Sequence, residues 1–113
     1  HILAGKKLPA RKALYVVPST KRIYQEAIRL GYLQALAEAG CFISSPTCDF
    51  CYGAAAYLGE GRRAISTQTL NVSGRLGSLA GEIWLGSSAA VAASLLRGVI
   101  TDPREFWEGG EGR

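Results

Sequence analysis

Nitrogen and sulfur ligands for a metal ion are scarce in this sequence, which contains no methionine, one histidine and three cysteines. A structural zinc ion needs four ligands, usually cysteine and histidine. Cys48 and Cys51 form a CxxC pair, so Cys41 and His1 are the other candidates. Cys41 lies in an apolar run, where a cysteine is usually a small buried hydrophobe. The composition therefore disfavours a zinc site built from this chain.

Long apolar runs and blocks of like charge are also missing. The longest apolar stretch, residues 89–96, is much shorter than the roughly 20 residues that a transmembrane helix needs. No secretory signal is visible, so we predict a cytoplasmic location and no membrane partner. The 13 basic and 9 acidic residues give a formal charge of +4 and are scattered. This distribution favours small anionic ligands weakly and makes nucleic acid an unlikely partner.

The missing methionine and an opening that reads like the middle of a protein suggest a fragment. A chain of 113 residues is long enough for one domain, with about two thirds of the unfolded surface buried. We assign residues 1–106 to a partial domain. The glycine-rich residues 107–113 are predicted to be a flexible tail or linker.

The first half of the chain predicts a strand, helix, strand unit. Residues 12–17 (KALYVV) read as a buried strand that ends at Pro18. Residues 20–39 carry apolar side chains at helical spacing, and Gly31 can divide them into two helices. Residues 41–44 (CFIS) form a second strand. Such a unit requires parallel strand pairing, which predicts an α/β fold.

The second half predicts shorter elements. These are a short helix at 53–58, strands at 63–67 and 82–85, a turn at 72–75, a helix at 89–97 that Ser87 or Ser88 caps and Gly98 ends, and a proline-containing turn at 101–107.

The CxxC pair follows a predicted strand end, where parallel sheets usually bind ligands. Two thiolates at this spacing can hold a metal or an iron-sulfur cluster. They can also form a redox dithiol, or be unrelated thiols. A thioredoxin-like oxidoreductase would need a proline-bearing loop that faces the thiols. No suitable proline follows the pair until Pro103.

Three arginines, Arg62, Arg63 and Arg75, are candidates for binding an anion. A guanidinium offers a planar pair of donors that matches a carboxylate. Arg75 follows Gly74 in a predicted turn that would aim its side chain inward. The alternative for each is an ordinary solvated surface arginine.

The order of these motifs resembles the catalytic module of the aconitase superfamily. The similarity is to the branch that contains the large subunits of 3-isopropylmalate dehydratase, homoaconitase and dimethylmalate dehydratase. It covers nearly the whole chain and rests on the following residues: Cys48-Asp49-Phe50-Cys51-Tyr52-Gly53, Gly59-Glu60, Ser66-Thr67, Asn71, Gly74-Arg75, and a serine-started, alanine-rich helix at 87–96.

This resemblance implies a three-layer α/β sandwich with a mainly parallel sheet, as in the third domain of aconitase-like enzymes. It implies a 4Fe-4S cluster with Cys48 and Cys51 as two ligands, a third cysteine upstream of this chain, and one iron open as a Lewis acid. Arg75 matches the arginine that grips a carboxylate of a hydroxy-acid substrate. The catalytic serine of the family lies on a swivelling domain or small subunit, so no catalytic residue is expected here.

Two positions depart from the family pattern. The family usually has Asn-Arg-Asn before the Gly-Arg turn, whereas this chain has Thr69-Leu70-Asn71. Losing the arginine removes a two-pronged contact to an anion, which suggests a different or less charged substrate. The leading hypothesis is part of an iron-sulfur hydro-lyase that acts on a hydroxy di- or tricarboxylic acid. The alternative is a non-catalytic iron-sulfur or thiol sensor derived from the same fold.

Overall fold

The computed structural model describes residues 1–106, which divide into two compact units. The first unit comprises His1–Thr47 with the described residues from Ala92 onward, and the second comprises Cys48–Val91. The predicted tail at 107–113 lies outside the described residues. In chain order the elements are β1 (Tyr15–Val16), α1 (Lys21–Arg29), α2 (Tyr32–Glu38), β2 (Phe42–Ile43), β3 (Arg63–Ser66), β4 (Glu82–Leu85), α3 (Ser88–Arg97) and a 3-10 turn (Pro103–Phe106).

The first unit confirms the predicted strand, helix, strand arrangement. Strands β1 and β2 pair in parallel, with Tyr15 opposite Phe42 and Val16 opposite Ile43. The rings of Tyr15 and Phe42 stack at a tilt, with their centroids 5.7 Å apart. Both strands are shorter than predicted. Residues 12–14 have no strand structure, and a turn around Arg11, which has a φ of 66°, precedes them.

Local chemistry explains where the helices of this unit begin and end. The Thr20 side chain accepts a hydrogen bond from the Ile23 amide at 3.1 Å and so caps α1. Gly31 has a φ of 78°, a left-handed conformation that separates α1 from α2 as the sequence suggested. The hydrophobic core of the unit is small, and its buried apolar residues are Ile2, Leu3, Ala39 and Ala93.

The second unit contains a second parallel pair, β3 and β4. Its register runs from Arg63 opposite Glu82 to Ser66 opposite Leu85. Ahead of the strands, Leu58 forms a parallel bridge with Gly77. The α/β class with parallel pairing is therefore confirmed, and the described strands form two two-stranded sheets.

The predicted helix at 53–58 is wrong, because these residues form turns and an extended segment. Gly53 has a φ of 83°, which is incompatible with a right-handed helix. The amides of Ala54 and Ala55 both donate to the Asp49 carbonyl, at 3.0 and 3.1 Å. The Leu58 amide donates to the Leu76 carbonyl, so it cannot donate to the Ala54 carbonyl as a helix would require.

Helix α3 was predicted correctly, including its cap. The Ser87 hydroxyl accepts a hydrogen bond from the Ala90 amide at 3.1 Å, and Gly98, with a φ of 81°, follows the last turn. The predicted proline-containing turn corresponds to the 3-10 turn, as far as its residues are described. Within residues 1–106, every helix falls short of the length and apolarity that crossing a bilayer requires.

Candidate functional site

The two cysteines of the CxxC motif lie close together in a tight turn, which we call the cysteine loop (residues 48–53). The Cys51 amide donates to the Cys48 carbonyl at 3.0 Å and closes the turn, and both cysteines line the same cavity. Neither cysteine is in a disulfide bond, and the two thiols are hydrogen-bonded to each other. The loop therefore presents two sulfur ligands that can point at one centre.

Cys51 interacts electrostatically with Arg75. The hydrogen bond between the two thiols raises the pKa of Cys51, and partial burial and the charges of Cys48 and Asp49 act in the same direction. The Arg75 guanidinium opposes them and lowers this pKa. The positive charge of Arg75 therefore lies close enough to Cys51 to stabilise its thiolate form.

Cys48, Cys51 and Arg75 line a single cavity of about 260 Å³ within the second unit, which we call the thiol cavity. Its other described lining residues are Gln68, Thr69 and Leu70. These three come soon after the carboxyl end of β3, the position where parallel strands usually place a ligand site. Residues far apart in the sequence therefore line one cavity.

Arg75, which lines this cavity, has an unsatisfied buried donor. Its amide donates to the Val72 carbonyl at 3.0 Å, which forms the turn that the sequence predicted. The Nε atom is buried and has no hydrogen-bond partner within the described residues. Leaving a buried charged donor unpaired costs more than about 1–3 kcal/mol, so a ligand that accepts from Nε would be stabilised here.

Gly53 allows the cysteine loop to approach the turn that follows Arg75. A Cβ at this position would collide with the Leu76 carbonyl group, whose carbon would lie only 2.6 Å away. The same Leu76 carbonyl accepts a hydrogen bond from the Leu58 amide at 2.8 Å. The close backbone contact explains why a glycine follows the cysteine pair.

Gln68 is a site residue that sequence reasoning did not single out. Its side-chain amide donates to the Phe50 carbonyl, between the two cysteines, at 3.3 Å. The Ser66 hydroxyl accepts from the Gln68 backbone amide at 3.0 Å and fixes the segment. Gln68 thus joins the cysteine loop to the end of β3. In the sequence, the position of Gln68 just after a predicted parallel strand was the feature that could have identified it as a site residue.

Two of the three candidate arginines lie outside the thiol cavity. Arg63 is in β3 and forms an exposed ion pair with Glu82, with Nε and Oε2 2.8 Å apart. Arg62 is exposed, and neither side chain lines the thiol cavity. The two arginines come before or at the start of β3, whereas the cavity residues follow its end. Arg75 is therefore the described arginine that faces the cysteines.

Cys41 lies in the first unit beside β2, and its partial burial raises the pKa of its thiol. This agrees with its assignment as a structural residue. A second cavity of about 360 Å³ in the second unit contains Asn71 and Trp84 but no thiol. Among residues 1–106, no three or more His, Cys, Asp or Glu side chains are grouped as a metal site.

Known proteins match this chain closely. Residues 1–98 match the family model described as aconitase family (aconitate hydratase). The relatives include the 3-isopropylmalate dehydratase large subunits of Nautilia profundicola and Aliarcobacter butzleri, each 44% identical over 107 residues. The corresponding subunit of Mycolicibacterium smegmatis is 41% identical over 106 residues. The alignments cover 93–94% of this chain but 25% of each relative. The chain belongs to the aconitase family.

Proposed function

We propose that this chain forms part of the active site of a 4Fe-4S-dependent hydro-lyase that acts on a hydroxy di- or tricarboxylic acid, such as a 3-isopropylmalate-like substrate. One observation carries the proposal: two paired thiols and an arginine with a free buried donor line the same cavity. Hydro-lyases of this kind remove water from a hydroxy acid, and C–H and C–O bonds break as a double bond forms. The family membership and the names of the relatives support this reaction class.

The thiol donors fit two ligand positions of an iron-sulfur cluster. Cys48 and Cys51 are in hydrogen-bond contact, and thiolates are the usual ligands of such clusters. When bound, a cluster with one iron free of protein thiolate supplies a Lewis acid for a substrate hydroxyl. Cys48 and Cys51 would hold the group, and Gly53 and Gln68 would fix the position of their loop relative to Arg75.

Arg75 would bind and orient a carboxylate of the substrate. Its guanidinium lies at the cavity wall next to the thiols, and its Nε still needs an acceptor. A carboxylate oxygen satisfies that donor and forms a charge-assisted hydrogen bond. Fixing the acid group in this way holds the neighbouring carbon and its hydroxyl at a constant position relative to the cysteines.

Other parts of the protein would complete this site. Because this chain spans a quarter of the length of its relatives, we assign the third cysteine and the catalytic base to segments beyond it. The relatives are named as large subunits, which supports a small subunit or a swivelling domain as the partner.

A second candidate function is an iron-sulfur or thiol sensor without catalysis. Leu70 and Thr69 favour it. They line the cavity at positions where the family pattern has an arginine and an asparagine, respectively. The hydro-lyase and an iron-sulfur sensor both require an iron-binding thiol pair, whereas a thiol sensor requires only the two thiols. They differ in whether the cluster-loaded, full-length protein hydrates or dehydrates a hydroxy acid.

The test compares Arg75→Gln with Arg62→Gln in the full-length, anaerobically reconstituted protein with its small subunit. Arg62 is the matched control because it is an exposed arginine outside the cavity. We expect Arg75→Gln to lower kcat/KM by about 10- to 100-fold, the value of about 1.5–3 kcal/mol for a hydrogen bond to a charged group. Arg62→Gln should change it less than twofold. Equal effects would contradict the assignment of Arg75, and a loaded but inactive wild type would favour the sensor.

A further inference from the structure

The cysteine loop is held closed by hydrogen bonds that the protein makes to itself. The Cys51 amide donates to the Cys48 carbonyl at 3.0 Å, and the two amides that follow Gly53 donate to the Asp49 carbonyl at 3.0 and 3.1 Å. A side-chain amide from beyond β3 donates to the carbonyl of residue 50 at 3.3 Å. All of these donors and acceptors belong to the chain, so they continue to hold the loop when a cluster leaves it.

Two thiols that remain in contact can react with each other as well as with iron. Cys48 and Cys51 are hydrogen-bonded and line the same cavity, and CxxC is a spacing that forms reversible disulfides in other proteins. Their accessibility differs, because Cys48 is exposed and Cys51 is half-buried. A reagent in solution therefore reaches Cys48 first. Cys51 is then already beside the modified sulfur, and closing the ring is an intramolecular step.

We propose that Cys48 and Cys51 form a modification site, at which a small aliphatic disulfide converts the cluster-free loop into an intramolecular disulfide that a dithiol reverses. The Cys48 sulfur attacks one sulfur of the reagent, the S–S bond of the reagent breaks, and its other half leaves as a thiol with the cysteine proton. The Cys51 sulfur then attacks the Cys48 sulfur, and the second half leaves as a thiol with the second proton. The cysteines are oxidised, and the reagent is reduced to two thiols.

A loop in this state offers no thiolate to iron, so a cluster cannot be rebuilt on it before reduction. The disulfide would also protect both sulfurs from further oxidation to acids, which is irreversible at its later stages. This inference goes beyond the hydro-lyase function and does not depend on it, since it concerns the chemistry of the two thiols alone.

The experiment uses the full-length protein, stripped of iron by a chelator without oxygen and then incubated with bis(hydroxyethyl) disulfide. Remaining thiols are alkylated, and the denatured protein is digested with chymotrypsin for mass spectrometry. Chymotrypsin cuts after aromatic residues, and Phe42 and Phe50 separate the three cysteines of this chain from one another. A bond between Cys48 and Cys51 therefore leaves two peptides joined, whereas a mixed disulfide leaves them apart.

Wild type should lose both thiols of the loop, release about two small thiols per chain and give the joined peptides. Cys51→Ser should stop at the mixed disulfide on Cys48 and release about one. Cys48→Ser should react more slowly, because its remaining thiol is half-buried. Cys41→Ser is the control and should behave as wild type. Oxidised wild type should take up no iron until a dithiol restores its thiols.

Circular dichroism establishes that each variant is folded before its products are compared. Stable mixed disulfides on wild type, unreacted thiols in the loop, or a bond to Cys41 would overturn the inference while the hydro-lyase proposal stands. Joined peptides from a protein that binds no iron when reduced would support the inference and overturn the proposed function.

Discussion

Replacing Gly53 by alanine tests whether the close contact between the cysteine loop and the Arg75 turn organises the site. The new methyl group would collide with the Leu76 carbonyl, the acceptor for the Leu58 amide. The backbone cannot accommodate this methyl group by a side-chain rotation. The cysteine loop must therefore move away from the turn that carries Arg75.

The size of the effect follows from two contributions. Alanine at a φ of 83° pays about 1–2 kcal/mol for the left-handed conformation. Overpacking against the backbone adds about 1–3 kcal/mol. Gly61→Ala is the matched control, because Gly61 has a φ of 70° and no atom within 4 Å of its added Cβ. The difference between the two variants isolates the collision.

Hydrogen exchange of peptides that contain Leu58 in the full-length protein measures the loss directly. Gly53→Ala should speed exchange there by about 5- to 150-fold more than Gly61→Ala does, the equivalent of about 1–3 kcal/mol. It should also speed iron loss to a chelator. Equal exchange in the two variants would show that the loop and the Arg75 turn are not held together by this contact.

Three further results are expected. Gln68→Ala removes the hydrogen bond to the Phe50 carbonyl, which contributes about 0.5–1.5 kcal/mol. A chelator should therefore bleach the cluster about 2- to 10-fold faster in this variant. An unchanged rate would exclude a positioning role for Gln68. The hydrogen bond from Arg104 lowers the pKa of Asp102 to about 2, and Arg104→Gln should return it towards 3.8 by carboxyl NMR. Because this pKa is depressed on folding, its stabilising contribution is present above about pH 4 and is lost towards pH 2; the variant should show a weaker acid dependence, since the backbone amide at position 104 still donates to Asp102. Thr20→Ala should destabilise α1 by about 0.5–2 kcal/mol, measured by amide exchange in that helix, and unaltered exchange would show that the cap contributes little.

Local patterns in the sequence were enough to predict the first unit. Helical spacing, a threonine cap and a left-handed glycine at position 31 defined α1 and α2, since each acts within a few residues. The parallel pairing of β1 and β2 followed from having a helical crossover between two strands. The strand ends were less accurate, because residues 12–14 have a strand-like composition but take no part in the two-residue pairing of β1 with β2.

The segment that follows the cysteine loop shows where local patterns fail. Residues 53–58 have the composition of a helix, but the contact of Gly53 with Leu76 and the bridge from Leu58 to Gly77 determine their conformation. Both contacts join segments about twenty residues apart. Propensity is a weak prior that such tertiary contacts override.

The candidate site was predictable in part. The spacing of Cys48 and Cys51 and the turn before Arg75 indicated ligands, and the structure brings these three residues to one cavity. Spacing alone left Arg62 and Arg63 as further candidates, and the fold shows that they precede or begin β3, whereas Arg75 lines the cavity. Gln68 was missed since its role depends on a contact with a backbone carbonyl, which any residue can offer.

The iron content of the full-length protein tests the central claim most directly. Anaerobic reconstitution of wild type, Cys48→Ser, Cys51→Ser and Cys41→Ser should be followed by iron and sulfide analysis and visible absorption. Wild type and Cys41→Ser should bind about four irons per chain and turn brown, whereas the other two variants should lose most of the iron. A wild type that binds no iron with its thiols intact, or a Cys48→Ser variant that retains a full cluster, would contradict the account.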